Sequence, residues 1–182
     1  MTIAARGELR GTLIAAALTL LESGTGDLSL RAVARAAGVS AMAPYRHFDD
    51  KAALLAAVAE EGFAGLRERM IAADGAPEPR AAVLSQGLAY IAFARARPAL
   101  FRLMFGDQLR PVKSDGKDSG GFDILTRRVA QLVPDDTQSA ALACWSIVHG
   151  LATLALDGRL EGIEPDHERR ALSLFVAALG KA

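Results

Sequence analysis

Residues Leu28 to Leu55 read LSLRAVARAAGVSAMAPYRHFDDKAALL. Ser29 is a good N-cap, and Leu28 and Val33 stand at the two positions of a hydrophobic staple. They predict a short helix that ends at Gly38. Ser40 is a second N-cap, with Val39 and Pro44 at staple positions, and it predicts a third short helix. Pro44 removes one N–H, but near a helix start the cost is modest. Asp49 or Asp50 then caps a long helix with the stripe Leu54, Leu55, Val58, Gly62, Leu66 and Met70.

Outward from this stretch, Ala and Leu dominate, β-branched residues are sparse, and no hairpin signal appears. The fold class expected is all-α: an N-terminal three-helix helix-turn-helix domain joined by a long helix to a C-terminal helical bundle. Leu9, Leu13, Ala17 and Leu20 or Leu21 mark a first helix that stops at Gly24. Pro77 and Pro79 break the chain once. Further helices are expected at about 79–96, 98–105, 122–132, 137–157 and 166–180. The polar, Gly-containing segment Gly106 to Gly121 reads as a mobile loop. Two domains follow, residues 1–50 and 51–182.

Composition narrows the function classes. Hydrophobic residues are 51% of the 182, too many for a disordered chain. Lys and Arg number 21, as do Asp and Glu, so any attraction for nucleic acid must be local. Cys144 is the one cysteine, which forbids an intramolecular disulfide and suits a reducing cytoplasm. The first ten residues lack the apolar run of a signal peptide. Ser139 to Leu156 comes closest to a membrane span, but it holds Trp145, His149 and Gly150. It reads as a buried helix, and no membrane partner is expected.

The local signal lies in the opening stretch. Two short helices joined by Ala37-Gly38-Val39 fit the helix-turn-helix pattern, with Gly38 permitting the turn and Ala34 and Ala37 allowing close crossing. From Leu28 to Phe48 there are three arginines, Arg31, Arg35 and Arg46, and no acid. Tyr45, Arg46 and His47 offer donors to phosphate oxygens, and Lys51 sits where backbone N–H groups also face an anion. Ser29 and Ser40 can add hydroxyls. The same geometry occurs in ordinary bundles, and three arginines can be a solvated face, so spacing alone leaves DNA binding open.

This stretch, with residues 8–55 around it, closely resembles the DNA-binding domain of TetR-family regulators. The Tyr45-Arg46-His47-Phe48 run and Lys51 match the family's closing run and following Lys. The resemblance implies that Tyr45, His47 and Lys51 hold phosphates while Ala41, Met42 and Pro44 face bases. Those apolar side chains suit thymine methyls, and Arg46 is the polar candidate. Tyr90 to Phe105, with Trp145, His149 and Gly150, resembles the C-terminal domain of a TetR subgroup named for Trp, His and Gly. It implies a small-molecule effector, a homodimer and a near-palindromic double-stranded operator. Phe93, Phe101, Met104, Phe105, Trp145 and His149 are the pocket candidates, although each also suits a core. The expected function is a cytoplasmic transcriptional repressor released by its effector.

Catalytic signals are weak. His47, His149 and His167 lie in separate segments. The single Glu164-x-x-His167 has no second copy to build a di-iron site. Gly24-Thr-Gly26 follows a helix and lacks a third glycine. Asp115 to Gly120 fails the calcium-loop spacing. No enzyme activity, cofactor or metal is expected. A helical ligand-binding or scaffolding protein without DNA binding is the alternative, and a helical-bundle enzyme is a third reading.

Overall fold

A computed structural model describes residues 3–24, 28–106 and 121–180. The loop expected from Gly106 to Gly121 falls, apart from its two end residues, outside them. Among the described residues there are eight α-helices, one 3-10 turn and no strand, so the all-α expectation holds. The helices are α1 (Ile3–Ser23), α2 (Leu30–Ala36), α3 (Lys51–Ala73), α4 (Pro79–Ala96), α5 (Pro98–Phe105), α6 (Phe122–Val129), α7 (Thr137–Leu156) and α8 (Pro165–Ala178).

Local chemistry sets the boundaries. Ser29 Oγ accepts the Ala32 N–H at 3.2 Å and starts α2. Asp50 Oδ1 accepts the Ala53 N–H at 2.7 Å and starts α3, which decides between the two aspartates. Glu78 accepts the N–H groups of Arg80 and Ala81 at 3.0 and 2.7 Å ahead of α4. These bonds favour its ionised form and hold its carboxyl below the usual range. Gly24 and Gly38, at φ +64° and +67°, take the left-handed conformation that ends α1 and turns the chain after α2.

One expectation is corrected. The segment after Ser40 is not a third α-helix but a bend followed by a 3-10 turn, Pro44–Arg46. Pro44 has no N–H to return to Ser40. The Ser40 carbonyl accepts instead from Ala43, at 2.9 Å, and Arg46 and His47 continue the three-residue spacing onto Ala43 and Pro44.

The chain divides into two compact units, the described residues of Met1–Gly62 with Arg97–Lys113, and of Phe63–Ala96 with Ser114–Ala182. α3 therefore gives its first half to one and its second half to the other. The first unit closes on Leu13, Ala17, Leu30, Val33, Phe48, Leu54, Val58, Leu100 and Phe101, all buried. α5 belongs here. An alanine methyl at Gly62 would meet Met104 Sδ at 2.6 Å, so the missing side chain lets α3 and α5 approach. The Arg97 Nε bond to Glu22 Oε1, at 3.0 Å, ties α5 to α1.

In the second unit α4 lies against α6, α7 and α8. Gly87 is the close-approach point: a methyl there would stand 2.7 Å from Leu172 and 3.0 Å from Val148. Asp74 is the polar junction. Its Oδ1 accepts from Arg128 Nε and from buried Gln86 Nε2, each at 2.7 Å, and its carbonyl accepts from Arg128 at 2.8 Å. Three helical segments are thereby locked together, because removing one partner strands the others away from water.

α7 departs from the buried helix expected. Only Ala141, Cys144, Val148 and Ala152 are buried, whereas Leu142, Trp145 and Leu154 are exposed. The unit's other helices cover one stripe of a helix that is apolar nearly all round. By length and composition α7 is also long and apolar enough to cross a membrane.

Gly87→Val should destabilise the protein by about 1–3 kcal/mol through overpacking. Gly11→Ala, in α1 with open space around it, should stabilise by about 0.5–1 kcal/mol. Urea unfolding of the two variants checks both signs; equal midpoints would contradict the packing assigned to Gly87.

Candidate nucleic-acid interface

The interface candidates of the first unit surround one short turn. Its placement follows from two buried anchors. Pro44 is under 2% exposed and Phe48 is likewise withdrawn from solvent. Between and before them, Met42 is 66% exposed and Tyr45 43%, and Ala41 and Arg46 are also exposed. The turn therefore displays Ala41, Met42, Tyr45 and Arg46 on a rigid base.

Burial removes Pro44 from the residues expected to face bases. A side chain with no accessible surface shapes the segment and cannot touch a thymine methyl. His47 is half-buried, and its Nε2 is enclosed without a hydrogen-bond partner. That nitrogen does not reach outward in this conformation. Ser29 Oγ is committed to its cap as an acceptor and keeps its proton to donate. Ser40 is exposed.

Electrostatics favour an anionic partner here. Arg31, Arg35 and Arg46 are exposed, and none forms an ion pair among the described residues. Lys51 is exposed in the first turn of α3. Asp50 already uses one N–H of that turn for its cap. The positive end of α3 is thus partly satisfied from within.

The pocket candidates are divided between the two units. Phe101, Met104 and Phe105 belong to the first unit, where Phe101 and Phe105 stack with centroids 4.8 Å apart. Phe93, Trp145 and His149 belong to the second. There Trp145 lies 5.8 Å from His149 and 6.1 Å from Phe122, ring to ring, while buried Phe93 carries the Arg69 guanidinium 5.6 Å from its centroid.

Sequence reasoning missed Tyr90. Its hydroxyl bonds His149 Nδ1 at 2.9 Å. Burial holds the phenol above its usual range and the imidazole below its own. Both groups are therefore neutral at pH 7. The only signal in the sequence was a tyrosine within an apolar helix, and 59 residues separate it from His149. Cys144 is buried and its thiol is pushed up to about 11, so it is a poor nucleophile.

Comparison with known proteins agrees with this architecture. The family model described as bacterial regulatory proteins, tetR family, matches residues 13–58. A second, described as tetracyclin repressor-like, C-terminal domain, matches residues 83–179. A protein of unknown function from Rhodococcus sp. RHA1 is 36% identical over 95% of this chain and 96% of its own, with a TM-score of 0.81. A variant of TetR from Acinetobacter baumannii AYE, solved in complex with minocycline, is 25% identical over 92% and 94%, with a TM-score of 0.66. A TetR family transcription regulator from Marinobacter aquaeolei VT8 shares the fold at 19% identity, 93% and 94% coverage and a TM-score of 0.69. No curated protein matches the chain. The chain belongs to the TetR family and is a DNA-binding transcriptional regulator.

His149 supplies a pH test. The folded state disfavours its charged form, so the unfolded chain binds the proton more readily. Stability from the neutral ring is complete above about pH 6.5 and is lost as pH falls below it. His149→Gln should lose less stability than the unsubstituted protein between about pH 7 and about pH 5. Equal losses in urea titrations would remove His149 as the responsible group.

Proposed function

We propose that the protein is a cytoplasmic repressor that grips a near-palindromic operator as a homodimer and releases it when a small organic effector binds. The observation that carries the DNA side is the acid-free stretch Leu28 to Phe48, whose arginines form no ion pair among the described residues, with an exposed Met42 and Tyr45 on an anchored turn. Arg31, Tyr45, His47 and Lys51, with the Ser29 and Ser40 hydroxyls, position the protein on phosphates. Ala41 and Met42 meet base edges, and Arg46 adds a polar contact to base or phosphate. Residues 1–50 serve DNA, and residues 51–182 serve effector and partner.

Dimerisation would cover the exposed Leu142, Trp145 and Leu154 of α7 and Leu174 of α8, the last 76% exposed in the single chain. Two recognition segments would then lie about one DNA turn apart. Effector binding would draw on Phe93, Trp145 and His149 in the second unit; the other candidates, Phe101, Met104 and Phe105, lie in the first unit. Trp145, His149 and Gly150 suit the Trp-His-Gly subgroup. An effector acts only through unequal affinity for two states, and α3, one helix from Lys51 to Ala73 shared by both units, is the natural carrier. The role is regulatory, with no catalysis assigned.

Lys51→Ala should weaken binding to every duplex and lower the salt slope by about one, whereas Met42→Ala should leave the slope and relax discrimination at one base pair by about 1–3 kcal/mol. Salt-dependent titrations of both variants test this. An unchanged slope for Lys51→Ala would remove the phosphate assignment.

A further inference from the structure

Arg10 lies on α1, outside the stretch that carries the helix-turn-helix, and its guanidinium sits 5.4 Å from the centroid of the Phe48 ring. Phe48 is buried and closes the Tyr45–Phe48 run, three positions before Lys51. Arg10 itself is exposed. Elsewhere Arg67 holds Asp123, Arg95 holds Glu168, Arg97 holds Glu22 and Arg128 holds Asp74. Among the described residues Arg10 has no such partner. Of the acids on α1, Glu22 is held by Arg97, and Glu8 is two positions away, a spacing that does not face Arg10.

We propose that Arg10 is a phosphate-binding residue, so that the grip on the DNA backbone extends from the Tyr45–Lys51 segment onto α1. The proposal rests on the reading of this unit as a DNA reader. A guanidinium laid on an aromatic face keeps its N–H fork directed outward, and the ring restricts its rotamers before any ligand arrives. An unpaired charge held this way adds one more counterion release on binding. Phe48 thus has two roles: it fills the core beneath the turn, and its outer face seats Arg10.

The test compares the full-length protein with Arg10→Gln, Arg10→Lys and Arg69→Gln on a fluorescently labelled mixed-sequence duplex. Arg69 is the control, since it stacks on Phe93 at 5.6 Å in the other unit. We expect Arg10→Gln to lower the salt slope by about one per protomer and Arg10→Lys to keep it, with weaker affinity. Arg69→Gln should leave the slope alone. Thermal unfolding separates a structural effect, because a folding role lowers Tm without moving the slope. An unchanged slope in Arg10→Gln, or an equal fall in Arg69→Gln, would overturn the proposal and leave DNA binding intact. Absence of salt-dependent binding by the unsubstituted protein would overturn both.

Discussion

Pro44 and Phe48 are both withdrawn from water, and only Tyr45, Arg46 and His47 lie between them. One 3-10 turn makes that possible. It places the two apolar anchors on the inner side and sends Tyr45 and Arg46 outward. Lacking an N–H, Pro44 cannot bond back to Ser40, and the chain tightens there. Met42 is lifted to 66% exposure by the same bend. The surface proposed to meet DNA is thus fixed by packing beneath it. Substitutions at the anchors would disorder the display, while substitutions at the displayed residues would leave the packing beneath them intact.

Charge is distributed to match. The protein carries 21 basic and 21 acidic residues, so no long-range field draws it to DNA. In the second unit several arginines are consumed by acids, and Asp74 takes Arg128 and Gln86 together. In the first unit Arg31, Arg35 and Arg46 have no acid between Leu28 and Phe48 to pair with. The attraction is local and of short reach, which limits non-specific affinity. A dimer would present this patch twice.

Much of the fold was legible because its determinants are local. Ser29, Asp50, Gly24, Gly38 and Pro98 act on neighbours within four residues, and the helices begin and end where these residues place them. The departures required contacts distant in sequence. Whether Pro44 faces a base or the core depends on how the turn packs against α2. The exposure of Leu142 and Leu154 depends on how many helices pack around α7. Tyr90 and His149 find each other across 59 positions, a pairing that helical periodicity does not encode. Burial of Phe93, Phe101 and Met104 fits a core as well as a ligand site.

An anchored, acid-free turn that reads DNA in two symmetric copies would leave its mark on the sequences it binds. Selection of bound duplexes from a random pool by the full-length protein tests this most directly. The expected result is enrichment of an inverted repeat with half-site centres about 10 base pairs apart or a little more, rich in thymine where Met42 would lie. Recovery of no enriched sequence, or of a single asymmetric half-site, would contradict it.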